Sequence, residues 1–245
     1  MPAFKRKRYT SKRRTKKRRR SLALFRRRKS SRNLILGGFP KSKLVKLRYC
    51  EFVTLNAPNT GLAVSHIFVA NSMYDPNNSG VGHQPSNFDR WANIYDHFTV
   101  VGSKISIQHC PTTTGNIVPS IVGVALTDSG TETSGKTAEQ LLEKKLTRSK
   151  YRSVGANSND HGLRKLTHTF SAKKFFGKAR GGIVNDGLYR GKMGNFGTGS
   201  NPTELAYYEL FAVSTNNTED PDGLRLLVTI DYIAKLTEPK PDDES

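Results

Sequence analysis

The side chains with the clearest chemistry are the lysines and arginines at the start of the chain. Seventeen of the 40 Lys and Arg residues fall within residues 1–32, and the first acidic residue is Glu51. Ammonium and guanidinium groups bind phosphate oxygens, and the planar guanidinium group can do so through two parallel hydrogen bonds. The candidate phosphate-binding residues are Lys5, Arg6, Lys7, Arg8, Lys12, Arg13, Arg14, Lys16, Lys17, Arg18, Arg19, Arg20, Arg26, Arg27, Arg28, Lys29 and Arg32.

This segment carries most of the net charge of the chain. The whole chain has a formal net charge of +20, whereas the residues after position 32 hold 23 basic and 20 acidic side chains. Self-repulsion at such a density of like charge opposes a compact state. The sequence therefore predicts that residues 1–40 are a disordered arm and hinge, which becomes ordered when it meets a polyanion.

The basic residues of the arm are grouped, and aromatic or apolar residues separate the groups. The three basic blocks are Lys5–Arg8, Lys12–Arg20 and Arg26–Lys29. The first two blocks match the pattern of a bipartite nuclear import signal. Contacts between cations and phosphates read no base sequence, but Tyr9, Phe25 and Trp91 are candidates for stacking on bases.

Catalytic and metal-binding patterns are missing from the spacing of the other reactive residues. The six histidines show neither HExxH nor H-x₃₋₅-H spacing, and those in strand-like segments (His66, His109 and His168) are predicted to be packed in a sandwich. Asp75 and Asp89, with Asp96, follow no calcium-loop pattern. The sequence thus predicts no catalytic residue, no metal site and no cofactor, and the protein is predicted not to be an enzyme.

The cysteines and glycines are also predicted to have structural roles, in strands and in a loop. Cys50 and Cys110 lack zinc spacing and are predicted to be small core residues of strands, which fits folding in a reducing compartment. The glycine-rich run of residues 191–200 lacks the Gly-Lys-Ser/Thr ending of a phosphate-binding loop and precedes a strand-like segment. Because eight glycines lie between Gly177 and Gly199, that segment is predicted to be a long mobile loop.

The elements that would position these residues are predicted to be almost entirely β-strands. Short apolar or alternating runs bounded by turn residues indicate eight strands. They cover residues 44–55, 63–70, 98–109, 117–127, 150–154, 163–170, 205–214 and 224–236. A capping box at Thr137–Gln140 predicts one short connector helix, with Leu141, Leu142 and Leu146 on its apolar face.

The strand pattern has no β-α-β alternation, and so it favours an antiparallel arrangement of two sheets. The predicted fold class is all-β, an eight-stranded antiparallel jelly-roll sandwich over residues 41–238, followed by an acidic tail over residues 239–245. Its long loops, at residues 56–62, 71–97, 128–136 and 177–203, are expected at the ends of the sandwich as contact surfaces. No apolar run reaches the roughly 18–20 residues of a membrane span, so membrane insertion is not expected.

Three sequence features together are characteristic of a known family. The basic arm leads directly into a sandwich, KKFFG occurs at Lys173–Gly177, and the most specific feature is the stretch Ala70–Ile105. Its motifs are Tyr74-Asp75-Pro76, Gly82-His83-Gln84-Pro85, Phe88-Asp89 and Gly102-Ser103-Lys104. In these features the chain resembles the capsid proteins of circovirus-like viruses with circular single-stranded DNA genomes, the CRESS DNA virus group.

The resemblance implies a shell-forming coat protein. It implies a homo-oligomer of about sixty copies in a closed icosahedral shell, which packages circular single-stranded DNA with the arm inside. It also implies that the arm binds host nuclear import receptors, that the protein is found in the virion and in the host nucleus, and that a host cell-surface receptor, as yet unidentified, is bound. Members of the group can carry further surface domains, and the short segment after the last strand here predicts a bare shell subunit.

Three alternatives remain open from the residues themselves. The coat protein of a small single-stranded RNA virus also combines a basic arm with a jelly roll, and charge alone does not distinguish DNA from RNA. A cellular basic protein that binds nucleic acid would carry a similar arm but would not form particles. An enzyme acting on nucleic acid would need a carboxylate or metal cluster, and the sequence offers none with convincing spacing.

Overall fold

A computed structural model describes residues 38–110, 120–144, 147–152, 165–195, 197–215 and 223–241, with side chains omitted for residues 148–152. The strands are β1 (Ser42–Leu55), β2 (Val64–Val69), β3 (Tyr95–His109), β4 (Ser120–Thr127), β5 (Thr147–Arg152), β6 (Leu166–Ser171), β7 (Gly191–Lys192), β8 (Tyr207–Ser214) and β9 (Leu224–Pro239). The α-helices are α1 (Phe88–Ala92), α2 (Ala138–Leu142), α3 (Ala172–Phe175) and α4 (Arg180–Asn185), and a 3-10 helix covers Gly187–Tyr189.

The strands form two sheets in which every pairing is antiparallel. Sheet one has the order β1-β9-β3-β6, with the short strand β7 beside β3, and sheet two has the order β2-β8-β4-β5. The chain passes from one sheet to the other at every connection except β4–β5 and β6–β7. This strand order is that of a jelly roll, so the predicted fold class is confirmed.

Strand β9 shows most directly why this sequence forms a sandwich. Residues Leu226, Val228, Ile230 and their even-numbered neighbours are fully buried, whereas Arg225 is exposed on the opposite face. Successive side chains of a strand point to opposite faces, so this alternation places one face on the core and the other towards solvent. Strand β9 pairs along its length with β1 on one side and β3 on the other, which makes it the centre of sheet one.

Strands β4 and β8 of sheet two are buried on both faces. Val124 and Leu210 belong to the core between the sheets, whereas Ile121, Phe211 and Val213 belong to a second apolar cluster outside sheet two. Helix α2 contributes Leu141 to this second cluster. The continuous apolar run of β8 follows from this double burial, and α2 covers a sheet face as well as connecting two strands.

The helix predicted from the capping box is present, but its buried face is narrower than predicted. The backbone N–H of Thr137 donates to Oε1 of Gln140 at 3.2 Å, which caps the helix start. Leu141 is fully buried, but Leu142 is 42% exposed, because a five-residue helix turns only one narrow side towards the sheet. Leu146 lies outside the described residues.

The segment predicted to be a long mobile loop, Gly177–Gly199, instead contains α4, the 3-10 helix and β7. Its apolar residues Ile183, Val184, Tyr189 and Met193 are buried against the rest of the chain. Helix α1 likewise lies within the segment 71–97, which the sequence indicates to be irregular. Helices of four to six residues have too few positions to show a hydrophobic period, so the sequence pattern does not predict them.

Strand ends differ from the predicted ones by a few residues. Strand β3 begins at Tyr95 and β9 continues to Pro239, because these two residues are paired with each other. The proline lies at the end of its strand, where the lack of a backbone N–H does not interrupt the hydrogen bonds between neighbouring strands. The predicted start of the fourth strand at residues 117–119, and the predicted tail beyond residue 241, lie outside the described residues.

Candidate nucleic-acid and assembly surfaces

The seventeen candidate phosphate-binding residues of the arm lie outside the described residues, but the point at which the arm joins the sandwich is described. Gly38 has a positive φ of 81°, and the carbonyl oxygen of Pro40 accepts a hydrogen bond from the Tyr95 hydroxyl at 2.9 Å. Strand β1 begins two residues later, with Ser42 paired to Thr237 of β9. The described chain therefore begins at one end of sheet one, beside β9.

The outer face of sheet one carries a row of cations. Between Leu44 and Thr54 of β1, and at the positions paired with them in β9, the outward side chains alternate with the buried core residues. In β3, Lys104 and Gln108 are exposed on the same side, whereas Thr99 and Ser106 are buried. The charged residues at these outward positions are the basic Lys46, Arg48, Lys104, Arg225 and Lys235 and the acidic Asp231. This part of the face thus has an excess of four positive charges.

Asp231 holds two of these cations in place. Its carboxylate accepts hydrogen bonds from Arg48 Nε at 2.6 Å and Nη2 at 3.0 Å, and Lys46 Nζ lies 3.2 Å from its Oδ2. The hydrogen bond from Arg48 is the main reason that the pKa of Asp231 is lowered, with Lys46 adding to the effect. The Asp231 carboxylate raises the pKa of Arg48 in return. Both ion pairs join β1 to β9.

Apolar side chains lie among the cations of this face. Leu44, Phe52 and Ile233 are 53%, 52% and 41% exposed. The guanidinium of Arg225 lies 4.6 Å from the centroid of the Phe52 ring, a cation–π contact. Cys50 is exposed on the same face, which makes its predicted burial wrong: in the alternation of β1 it points away from the core, opposite to Tyr49.

The outer face of sheet two has a different character. It carries the apolar cluster that includes Phe211 and Val213, and the segment between β4 and α2 folds over it. Glu209 of β8 is fully buried there. Its carboxylate accepts hydrogen bonds from Thr127 Oγ1 (2.5 Å), from the backbone N–H groups of Glu132 (3.1 Å) and Thr133 (2.8 Å), and from Thr133 Oγ1 (2.7 Å). The loop at residues 128–136 is therefore fixed across the sheet by this carboxylate.

Part of the stretch Ala70–Ile105, which carries the family resemblance, is buried in the sandwich. Asn71 Nδ2 donates to the carbonyl oxygen of Glu204 at 2.8 Å, and Ala206 N donates to Asn71 Oδ1 at 2.9 Å. Ser103 Oγ donates to the carbonyl oxygen of Ala70 at 2.5 Å. Much of the segment predicted to be a contact loop is therefore a packed end of the sandwich, although exposed residues such as Val81 remain on its surface.

Two motif residues of this stretch have clear structural roles. A Cβ atom at Gly82 would lie 2.7 Å from Cβ of Asn77 and 2.9 Å from the Tyr49 hydroxyl, so only glycine fits. His83 contacts two backbone carbonyl oxygens, that of Cys50 at 3.1 Å and that of Gln84 at 2.9 Å, and its ring lies 4.6 Å from that of Tyr49. These residues fasten the loop to β1.

A chain of polar side chains continues this connection into the interior. The Tyr49 hydroxyl donates to Glu51 Oε2, Asn77 Nδ2 donates to the same oxygen at 2.9 Å, and His66 Nε2 lies 3.0 Å from Asn77 Oδ1. Burial, aided by the contact with Glu51, raises the pKa of Tyr49, and burial lowers the pKa of His66. Burial also raises the pKa of nearby Asp75. The partners satisfy one another, so the arrangement is a structural cross-link among β1, β2 and the loop.

Of the three aromatic residues considered for base stacking, Trp91 lies within the described part of the chain. Trp91 is half-buried, packs against the core and lies 6.2 Å from the Tyr95 ring, whereas Tyr9 and Phe25 lie outside the described residues. In the KKFFG motif, Phe175 and Phe176 pack edge-to-face against Phe170, with ring centroids 5.7 and 6.0 Å from its own. These rings are part of the packing beside β6.

The acidic residues and histidines of the described ranges do not form a metal-binding cluster. Within that part of the chain no group of three or more His, Cys, Asp or Glu side chains could hold a metal ion, so Asp75, Asp89 and Asp96 do not converge on such a site. A cleft of about 820 Å³ lies between Ala125–Asp128 and His168–Phe175, with a Lys144–Glu132 ion pair of 2.6 Å at its edge.

In the described ranges no helix is long and apolar enough to cross a membrane.

The comparisons with known proteins give only distant structural likenesses. No family model matches the chain, and no curated protein sequence matches it. Among solved structures, the 60-mer crystal structure of the BFDV capsid protein has 12% identity over 84% of this chain and all of that one, with a TM-score of 0.45. A semi-empty particle of a nodavirus of the prawn Macrobrachium rosenbergii has 8% identity, coverages of 81% and 95% and a TM-score of 0.45.

A third solved structure, that of Desmodium yellow mottle tymovirus, has 14% identity over 85% of this chain and 94% of that one, with a TM-score of 0.42. At this level of similarity the likenesses carry no argument about what the chain does. The jelly-roll assignment rests on the strand order and register of the chain itself.

Proposed function

We propose that the chain is a viral coat protein that self-assembles into an icosahedral shell and packages circular single-stranded DNA through its basic arm. The observation that carries the proposal is the direct attachment of an arm holding seventeen cations to one end of a jelly-roll domain. The resemblance of Ala70–Ile105 to circovirus-like capsid proteins supports the same assignment. No catalytic step is part of this function.

The mechanism separates packaging from assembly. Arm cations bind phosphates without reading sequence and release counterions, so binding weakens as salt rises. Assembly gathers many arms on one inner surface, which gives the avidity that a single arm lacks. With about sixty copies per shell, the arms supply roughly 1,000 positive charges, so they neutralise a substantial part of a small genome.

The packaged nucleic acid distinguishes the proposal from its nearest alternative, the coat protein of a small single-stranded RNA virus. Particles purified from cells that express the full chain and replicate a circular DNA should hold nucleic acid that DNase degrades after the shells are opened. Protected RNA as the specifically enclosed genome would favour the alternative and overturn the assignment to DNA.

The role of the arm is tested by deletion of residues 1–32. We expect the ratio of absorbance at 260 nm to that at 280 nm to fall sharply in the purified particles, while circular dichroism still reports β structure, because the described fold begins at Gly38. Normal packaging by the deleted chain would remove the arm from the proposal.

We propose that the first two basic blocks also bind host nuclear import receptors. The protein would then enter the host nucleus, in addition to its place in the virion. Residues 1–32 fused to a fluorescent protein too large for passive diffusion should accumulate in the nucleus, and a fusion with Gln at the basic positions 5–8 and 12–20 should not. Equal distribution of the two fusions would exclude the import role. The host cell-surface receptor remains part of the proposal without an assigned surface.

A further inference from the structure

We propose that the outer face of sheet one is a second phosphate-binding surface, which lies against the packaged nucleic acid in the assembled shell. The inference rests on the proposed function and adds to it an orientation of the subunit: sheet one faces the lumen. The surface is defined by the side chains of Lys46, Arg48, Lys104, Arg225 and Lys235, and is called the sheet-one cationic face.

The spacing of these cations suits an extended strand of nucleic acid. From Leu44 to Thr54, β1 covers about 33 Å at 3.3 Å per residue, and β1, β9 and β3 lie side by side at about 4.8 Å. Lys235 lies near one end of this length and Arg225 near the other, with Lys104 paired to Asp231 between them. A single strand laid along β9 would thus meet a cation at each end and in the middle.

The exposed apolar residues of the face fit the same occupant. Phe52 is half exposed beneath the guanidinium of Arg225, and Leu44 and Ile233 are exposed further along the sheet. Aromatic rings and guanidinium planes accept stacked bases irrespective of sequence, while neighbouring cations bind the phosphates. A surface that mixes cations with an exposed ring is therefore suited to single-stranded nucleic acid.

The start of the described chain lies at one end of this face. The chain enters β1 at Ser42, and a groove of about 530 Å³ beside Ser42 and Leu44 is lined by Arg180 and Lys235. Lys41 and Lys43 are exposed at the same end of β1. Basic side chains therefore continue from the first residues of β1 onto the sheet-one cationic face.

A second copy of the chain is a less suitable occupant. A two-fold contact would place this surface against itself and oppose five cations to five cations, with one carboxylate from each copy to offset them. The outer face of sheet two offers a contrast, because its apolar cluster is already covered by α2 and its buried carboxylate is satisfied internally. Charge complementarity thus favours a polyanion on sheet one.

The test compares two full-length variants with the same change in net charge. One replaces Lys104, Arg225 and Lys235 by glutamine, and the other replaces Arg90, Lys136 and Lys173, which are exposed on α1, the 128–137 segment and α3. Dissociation constants for fluorescent oligo(dT) are measured by anisotropy over a range of salt concentrations, at protein concentrations too low for assembly. The slope of log K against log [salt] changes by about 0.7 per phosphate contact for single strands.

We expect the sheet-one variant to lower the steepness of that slope by about 2 relative to the parent chain, and the control variant to leave it within error. The charge-preserving variant with Lys104→Arg, Arg225→Lys and Lys235→Arg should bind as the parent does. If the triple glutamine variant loses its β-type circular dichroism, Lys104→Gln alone is measured, with an expected decrease of about 0.7. Equal slopes for the sheet-one and control variants would overturn the proposal.

A second experiment identifies what covers the face in shells. Amine-reactive labelling of Lys46, Lys104 and Lys235, read by mass spectrometry, should be low in filled shells and high in empty ones. Protection in both kinds of shell would mean that a neighbouring copy covers the face, and labelling in both would mean that nothing does; either result overturns the proposal. If the parent chain itself forms no shells or encloses no nucleic acid, the proposed function fails. That outcome is seen in the parent chain, so it differs from a failure of the sheet-one proposal, which is seen only by comparing the variants.

Discussion

Glu209 is a single side chain that fixes a long loop. It is fully buried on the outer side of sheet two, and its carboxylate receives four hydrogen bonds from Thr127, Glu132 and Thr133. A buried carboxylate is tolerated only when donors surround it. The segment between β4 and α2 supplies three of these four hydrogen bonds, from Glu132 and Thr133, so its path over the sheet depends on this residue.

Replacing Glu209 by alanine should therefore destabilise the fold strongly. The backbone N–H groups of Glu132 and Thr133 would lose their acceptor in a buried place, at a cost of about 3 kcal/mol in the free energy of unfolding. Urea unfolding followed by circular dichroism measures this. The matched control, Glu143→Ala at the exposed end of α2, should change the free energy by less than about 0.5 kcal/mol. Similar losses in the two variants would contradict the assigned role.

Glycines of the chain differ in whether a side chain fits. Gly82→Ala would force a methyl group to within 3 Å of Asn77 and Tyr49, which should cost about 1–3 kcal/mol in unfolding free energy. Gly181→Ala, within α4, meets nothing within 4 Å and should be neutral or stabilising by up to about 1 kcal/mol. Thermal unfolding measures the stability of both variants. A Gly82→Ala variant as stable as the parent would contradict the prediction, because it would show that Asn77 and Tyr49 move aside at little cost.

Between elements, the ion pairs at Asp231 join β1 to β9, which are the first and last strands of the jelly roll. The folded state lowers the pKa of Asp231, so this contribution to stability is present above the ordinary aspartate pKa of about 4 and is lost as the pH falls through the lower folded value. Because Lys46 and Arg48 are largely exposed, the contribution is at most about 1 kcal/mol.

We therefore expect the parent chain to lose slightly more stability than the Asp231→Asn variant between about pH 5 and pH 3. Arg48→Gln removes the main cause of the lowered pKa and should reproduce most of the difference. Urea midpoints measured across this range test the prediction. Parallel pH profiles for all three proteins would mean that the ion pairs contribute nothing measurable.

The strands follow from the sequence far better than the short elements and the surfaces do. The alternation of β9 and the unbroken apolar run of β8 each reflect burial along a single strand, so the residues themselves show it. Helix α4 is too short to show a period, and the interior position of Asn71 depends on contacts more than 130 residues away. Local patterns carry no information about such partners.

The cationic face illustrates the same limit. Arg48 and Asp231 are separated by 183 positions in the chain, and Lys104 joins them only because β9 lies between β1 and β3. The sequence shows basic residues at alternate positions of each strand but not which strands are neighbours. The seventeen arm cations, in contrast, are visible as a local cluster, so that candidate site is predicted from the sequence alone.

At the scale of the whole molecule, the described domain has two unlike outer faces. Sheet one presents cations, and sheet two presents an apolar cluster covered by α2 and its preceding loop. A jelly roll with one cationic outer face, preceded in the chain by a basic segment, is suited to enclosing nucleic acid when many copies close into a shell. The central claim is thus that the chain is a shell-forming subunit.

Electron microscopy of the purified full-length protein, at low salt and with single-stranded nucleic acid present, tests that claim most directly. We expect closed shells of uniform diameter that contain nucleic acid. A protein that binds the nucleic acid but remains a monomer or small oligomer under these conditions would contradict it, and would favour a cellular basic nucleic-acid-binding protein instead.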